Sequence, residues 1–548
     1  MTVISSRNTL SRHATRFISR SGVLLAALGA LTLLVYWLGL ILPYNVFALK
    51  LKPLLDIAKL TRTDMAAQAG YVLTWALLAG LYYLAWRVCR AAGRLHDEAQ
   101  QRAVWVALLG SLLVVNVSLL WLYPIGAADL FDNISRGRIT AEYGGNPFYQ
   151  TPRDYPSDVF FRYVAWRRST SAYGPAWELL AAGTSRLAGD DVLANVLAFK
   201  LLNLLFYVGG IVLIVAILRR LTPERALQGV CLFAWNPLVL YETAGNGHND
   251  VVMAFWILLG LYGALRERHT WAALALVVGA LTKFIPVLLV PLVLAAGLRS
   301  HLSWKSRLFF IARTGLACVA LIVAAYAPFW RGGDPLSIER RENLFTTSLP
   351  AFVQAQLENP LGVEASRRVV SQAALALTLG VVLWQAWRVW KTAPTPVPPR
   401  SRKRTEERDS LPLSGSRSIP TGEGLGMGVL HASTLVLLFY LLVTCLWFQT
   451  WYALWPLALA ALLPEGALSR TVVLLSYAAA WKAVIFDFFL YHGGPLPPRV
   501  WRETWLGPIT LGLVWLYAAY AILAQFGTRI EEHRLNTSAR NLHASRKI

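Results

Sequence analysis

The sequence predicts an all-α, polytopic transmembrane bundle of about 12–14 spans, with an external loop domain after the third span. Three observations predict it. Of 548 residues 56% are hydrophobic and only 15% charged, against about 25% charged in a soluble protein. Apolar runs of roughly 20 residues, enough to cross about 30 Å of hydrocarbon, recur along the chain. The charge is one-sided: 52 Lys and Arg against 30 Asp and Glu give +22, and the excess collects on alternate connections between the runs. A disordered chain, a coiled coil and a disulfide scaffold are excluded. No nucleic-acid partner is expected, because runs this long make the bilayer the natural surroundings of the basic residues.

The spans follow in order. Gly22–Leu42 is too long for a signal-peptide core and no small-residue cleavage site follows it, so it reads as a span. Ala66–Val88 and Ala103–Ile125 come next, and then a long polar segment. Leu193–Leu218, Ala226–Tyr241, Val251–Leu265, Trp271–Leu281, Phe284–Leu298, Leu308–Trp330 and Ser371–Trp390 continue the series. The last four are Val429–Phe448, Tyr452–Leu463, Thr471–Phe489 and Trp505–Phe526. Around Thr282-Lys283-Phe284-Ile285-Pro286 two short runs meet either as one bent helix or as a tight hairpin.

Charge orients the series. If the basic segment 1–21 (Arg7, Arg12, Arg16, Arg20) is cytoplasmic, so are the Arg87/Arg90/Arg94/Arg102 connection and the tail 527–548. Both termini are then expected inside. Residues 391–428, with four prolines followed by Arg400-Ser-Arg-Lys-Arg404 and a Gly/Ser-rich stretch, read as a disordered basic cytoplasmic linker. It divides a first membrane module, 22–390, from C-terminal spans, 429–526. Usage rich in Leu, Ala, Arg and Trp and poor in Lys fits a GC-rich bacterial genome, hence a bacterial inner membrane.

The polar chemistry gathers outside. Asp129, Asp132 and Arg136 stand at i, i+3 and i+7, on one helical face just after the third span. Such carboxylates could deprotonate a hydroxyl or hold a divalent cation; they could equally be helix N-terminal acids with an Asp132–Arg136 pair. Gly144-Gly145-Asn146-Pro147 is a turn signal, and Tyr173-Gly174-Pro175 leads into a helix with Pro near N1. The short loop Glu242-Thr-Ala-Gly-Asn246-Gly-His248-Asn249-Asp250 concentrates hydrogen-bonding side chains; a turn with an Asn or Asp cap explains part of it, ligand contact the rest. Lys283 in an apolar stretch suggests phosphate binding, and Arg340-Arg341 add external cations that are candidate substrate-binding residues, with solvated charge as their default role. Cys89, Cys231, Cys318 and Cys445 show no ligand spacing and read as packing residues.

Together these residues fit transfer of a sugar from a lipid phosphate to an acceptor hydroxyl, with a carboxylate as base and cations on the leaving phosphate. No Gly-rich nucleotide cradle is apparent on the cytoplasmic side. The ordered motifs Ala-Ala-Asp129-Leu-Phe-Asp132, Tyr143-Gly-Gly-Asn146-Pro147-Phe148, Tyr173-Gly174-Pro175-Ala-Trp177, Trp235-Asn236-Pro237-Leu…Gly247-His248-Asn249-Asp250 and Thr282-Lys283-Phe284 resemble those of polyprenol-phosphate-mannose-dependent mannosyltransferases. These are integral-membrane enzymes of the GT-C class. The resemblance covers roughly 124–330 and implies a GT-C-like catalytic module, a polyprenyl-phosphate sugar donor, a glycan or glycolipid acceptor and inversion. It implies Asp129 as the catalytic general base, and Asp132 is the second candidate catalytic carboxylate beside it. It also implies His248, Asn249 and Asp250 around the sugar or acceptor and Lys283 at the carrier phosphate, while Tyr173, Glu242 and Asn246 stand as further candidate substrate-binding residues. A transporter or lipid flippase would also use broken helices and a buried Lys, but predicts related halves that the sequence lacks. An O-antigen-type ligase or polymerase would use the same lipid chemistry.

Overall fold

The computed structural model describes residues 21–95, 97–332, 344–392, 421–491 and 500–524. Residues 1–20, the tail, Arg340 and Arg341, and residues 393–420 of the expected linker 391–428 lie outside them, while 421–428 of that linker are helical. The regular structure of the described residues is helical, without a β-sheet.

The helices, in chain order, are α1 (Ser21–Tyr36), α2 (Met65–Ala92), α3 (Glu98–Leu119), α4 (Asp129–Ala141), α5 (Pro175–Ala188), α6 (Val192–Leu221), α7 (Ala226–Ala234), α8 (Pro237–Leu240) and α9 (Asp250–Leu265). They continue as α10 (His269–Thr282), α11 (Val290–Arg299), α12 (Trp304–Tyr326), α13 (Leu349–Leu361), α14 (Val363–Thr392), α15 (Thr421–Phe439), α16 (Leu454–Ala460), α17 (Ala467–Tyr491) and α18 (Leu506–Ala524). Eight helical segments among the described residues are long and apolar enough to cross a membrane; α8 with α9 makes a ninth if that bent pair is one span. Thr471–Phe489 lies within one long helix, α17, and most of the remaining apolar runs fold as shorter pieces, broken at Asn236-Pro237 and at Lys283.

Helix starts follow cap chemistry. The carboxylates of Asp64, Asp97 and Asp191 accept backbone N–H groups at the starts of α2, α3 and α6, and Ser303 does so for α12. The run expected as one span, Ala226–Tyr241, breaks at Asn236-Pro237. Pro cannot donate within a helix, and the Asn236 side chain caps the new start by accepting from Leu238 N at 3.0 Å. A wide turn, Tyr241–Gly245, then carries the chain into the polar loop, and α9 leaves at 117° to the incoming segment. Gly247 sits in that loop at φ +73°; a Cβ there would lie 2.9 Å from Leu130 Cδ1, so both conformation and space call for glycine.

The alternative left open at Lys283 resolves as a hairpin. α10 ends at Thr282, Lys283 is extended, and a short 3₁₀ turn, Ile285–Leu289, leads back into α11. At the far end His269 Nε2 lies 3.1 Å from Ser300 Oγ, so the two helices run antiparallel. Connections therefore segregate to two ends. At one end Ile57 N donates to Ile125 O, Tyr163 Oη to Lys50 O, Gly126 N to Asn246 Oδ1, and Thr346 N to Leu446 O. At the other, Arg90 pairs with Glu465 at 2.9 Å, Gln228 donates to the same carboxylate, and Arg225 reaches the Leu462 carbonyl. This is the alternation that the apolar runs imply.

Candidate active site

A cavity of about 400 Å³ opens at the first of these ends. Its polar side is formed by Asp129, Asp132 and Arg136 of α4, by Lys283 at the hairpin tip, and by Gln449. Phe284, Ile285, Leu344, Leu446 and Trp447 make an apolar side. The i, i+3, i+7 spacing places the three α4 side chains together on this wall, and their surroundings separate their properties. Asp129 stands in the first turn of α4 and is 24% exposed; Asp132, one turn on, is 3% exposed. Asp132 accepts the Trp166 N–H at 3.0 Å and lies 3.9 Å from the Arg136 guanidinium. Burial pushes its carboxyl up to about 6, against the pull of Arg136 and with a further push from Asp129. Arg136 is buried, and its Nε has no hydrogen-bond partner among the described residues. It is thus a cation at the cavity wall whose one described carboxylate contact is loose.

The polar loop between α8 and α9 lies directly behind Asp129. His248 Nε2 is 4.0 Å from Asp129 Oδ2, and its Nδ1 is 2.8 Å from Glu242 Oε2. Asn246 donates to the same Glu242 oxygen at 2.9 Å and accepts from Gly126 N, which ties this loop to the entry of α4. Trp451 stacks on the His248 ring with centroids 3.8 Å apart. Glu242, His248 and Asn249 are buried in this layer. They form a supporting row, while Tyr173 and Lys283 reach the cavity itself.

Lys283 is held from one side by charge and from the other by rings. Its Nζ donates to Asp250 Oδ1 at 2.8 Å, and Trp455 Nε1 donates to the same oxygen at 2.6 Å. Tyr452 and Trp455 present their faces 4.6 and 5.3 Å from the ammonium, with Tyr173 at 5.8 Å. A break in an apolar hairpin thus becomes a fixed cation. Among the described residues no three His, Cys, Asp or Glu side chains gather as a metal-holding group.

Several contributors had not been expected. Gln449, Trp451, Tyr452 and Trp455 come from the C-terminal spans. Lys482 of α17 donates to Phe448 O at 3.0 Å and Gln449 Oε1 at 2.9 Å, fixing that strand of chain. Glu178 of α5 accepts from Ser171, beside Tyr173, and burial raises it to about 7. The density of aromatics around one Gln in Trp447-Phe-Gln-Thr-Trp-Tyr452, and a Lys inside the apolar run 471–489, were the available signals.

The chain is similar to several known proteins. A protein from Mycobacterium tuberculosis named alpha-(1->6)-mannopyranosyltransferase A is 24% identical over 484 residues, 85% of each chain. Alpha-(1->6)-mannopyranosyltransferase B of Corynebacterium glutamicum is 28% identical over 149 residues, 26% of this chain and 24% of its own length. A probable alpha-(1->6)-mannopyranosyltransferase of Mycolicibacterium smegmatis is 26% identical over 261 residues, 47% of this chain and 44% of that one. No solved structure matches. The family described as alpha-(1->6)-mannopyranosyltransferase, N-terminal domain, matches residues 25–299, from the first span through the hairpin of α10 and α11 with Lys283 at its tip, and on that match the chain belongs to this family.

Proposed function

We propose that the chain transfers mannose from a polyprenyl-phosphate carrier to an acceptor hydroxyl of a glycan or glycolipid, on the non-cytoplasmic face, with inversion and with Asp129 as base. The observation that carries the reading is the composition of the cavity. A partly exposed carboxylate, two cations and an apolar wall share one space at the end of a membrane bundle. The sugar and phosphate need the first two and an isoprenoid chain needs the third.

In the step itself Asp129 accepts the acceptor's hydroxyl proton as that oxygen bonds to the anomeric carbon. The bond from that carbon to the phosphate oxygen breaks, and its electron pair leaves on the carrier phosphate. Arg136 and Lys283 face the charge that develops there. Of the two, Arg136 is the freer to bind phosphate, since Asp250 already holds Lys283. If the displacement inverts, the α linkage in the family's name requires a β-linked donor. The row Glu242–His248 behind Asp129 orients the base, and Asp132 orients the loop at Trp166.

The test compares wild type and Asp129→Asn, purified in detergent, with polyprenyl-phosphate-[¹⁴C]mannose and a mannoside acceptor. Transfer by the wild type and a loss of at least about 10³-fold in the variant are expected. A wild type inactive with polyprenyl-phosphate mannose overturns the donor. A fully active Asp129→Asn overturns the base.

A further inference from the structure

At the opposite end of the bundle a second crevice, about 530 Å³, runs between α2 and α17 and is closed on one side by Tyr517 of α18. No step of the reaction uses it. Its inner wall is apolar and aromatic, with Tyr82 and Trp86 of α2 facing Leu474 and Tyr477 of α17. Its rim carries Arg87, Arg90 and Arg470 against a single acid, Glu465. That acid is already engaged by Arg90 at 2.9 Å and by Gln228 at 2.8 Å. Arg87 rests on the Tyr83 ring, with its Nη1 donating to the Tyr83 hydroxyl at 3.1 Å, and Arg470 is exposed. Among the described residues, two positive charges therefore remain without a carboxylate above an apolar slot.

We propose that this crevice binds an anionic phospholipid, its phosphate between Arg87 and Arg470 and an acyl chain along Trp86, Leu474 and Tyr477. The charge is complementary to a lipid phosphate, and Trp and Tyr stand where a helix meets the headgroup layer. A zwitterionic lipid fills the slot equally well but gains less from the two arginines. The positive-inside orientation puts this lipid in the cytoplasmic leaflet, away from the donor cavity. α17 links the two places: Leu474 and Tyr477 line the crevice, and Lys482 of the same helix holds Gln449 at the cavity.

The experiment uses the full chain in neutral detergent, titrated with short-chain phosphatidylglycerol, phosphatidylcholine or inorganic phosphate, and counts retained lipid by native mass spectrometry. Saturable retention of phosphatidylglycerol is expected, with phosphatidylcholine at least fivefold weaker and inorganic phosphate unable to compete at millimolar concentration. Arg87→Gln/Arg470→Gln should weaken phosphatidylglycerol about thirtyfold, at roughly fivefold per arginine. Arg94→Gln, a basic residue nearby that does not line the crevice, should change it less than twofold. Equal retention of the two lipids, competition by phosphate, or an unchanged double variant each overturns the proposal. An independent check keeps the arginines: Tyr477→Trp, which fills the slot, should reduce bound phosphatidylglycerol while the chain still unfolds at the wild-type temperature.

Discussion

Replacing Asp250 with Ala leaves the Lys283 ammonium without its carboxylate, in a place where water reaches little of it: Lys283 is 14% exposed and Asp250 1%. Removing one partner of a buried ion pair costs about 3–5 kcal/mol. The three rings around Lys283 return about 0.5–2 kcal/mol of cation–π attraction that does not depend on Asp250, so the loss should sit near 3. Lys283→Met costs about as much from the other side, since the Asp250 carboxylate then loses its ammonium and keeps the Trp455 N–H at 2.6 Å as its side-chain hydrogen bond among the described residues. The double variant has no stranded charge and should lose about 3–4 kcal/mol rather than the sum of about 6, a coupling of about 2–3 kcal/mol. Chemical unfolding of the full chain in mixed micelles, followed by tryptophan fluorescence, measures all corners of the cycle. Losses that add within about 0.5 kcal/mol would refute the reasoning, because the pair would then be two separate packing contacts.

Two further expectations concern α4 and its neighbours. Asp132 and Glu178 are raised to about 6 and about 7 from ordinary values of 3.8 and 4.5, so the folded chain keeps protons that the unfolded chain releases. Their stabilising contribution is fully present below about pH 4 and is lost as pH rises through about 6 to 7, at most about 3 kcal/mol for each. Asp132→Asn/Glu178→Gln should flatten that part of an unfolding-midpoint profile; an unchanged slope would place the titration elsewhere. Arg136→Gln removes the cavity's freer cation. Transfer should fall about 10²–10³-fold, mainly in kcat because the leaving-group charge grows along the reaction, and a change confined to KM for the carrier would count against that role.

Apolar length and one-sided charge are enough to give the class and the alternation. A bilayer tolerates only backbone that satisfies its own hydrogen bonds, so apolar length dictates helices, and caps such as Asp64, Asp97 and Asp191 mark where they start. The sequence also exposed Asp129, the His248 loop and Lys283, because polar side chains are conspicuous beside apolar runs. Tertiary structure decided which of these meet. Lys283 and Asp250 are 33 residues apart, Gly126 and Asn246 are 120, and Trp455 reaches Asp250 across 205. Contacts of that range depend on how the helices pack, and periodicity within a span carries no record of its neighbours. The hairpin at Lys283, the aromatic segment from Trp447 to Trp455 and the separation of Asp129 from Asp132 by exposure all belong to that second kind. A charge at the end of an apolar helix announces itself in one dimension, but its partner is chosen in three.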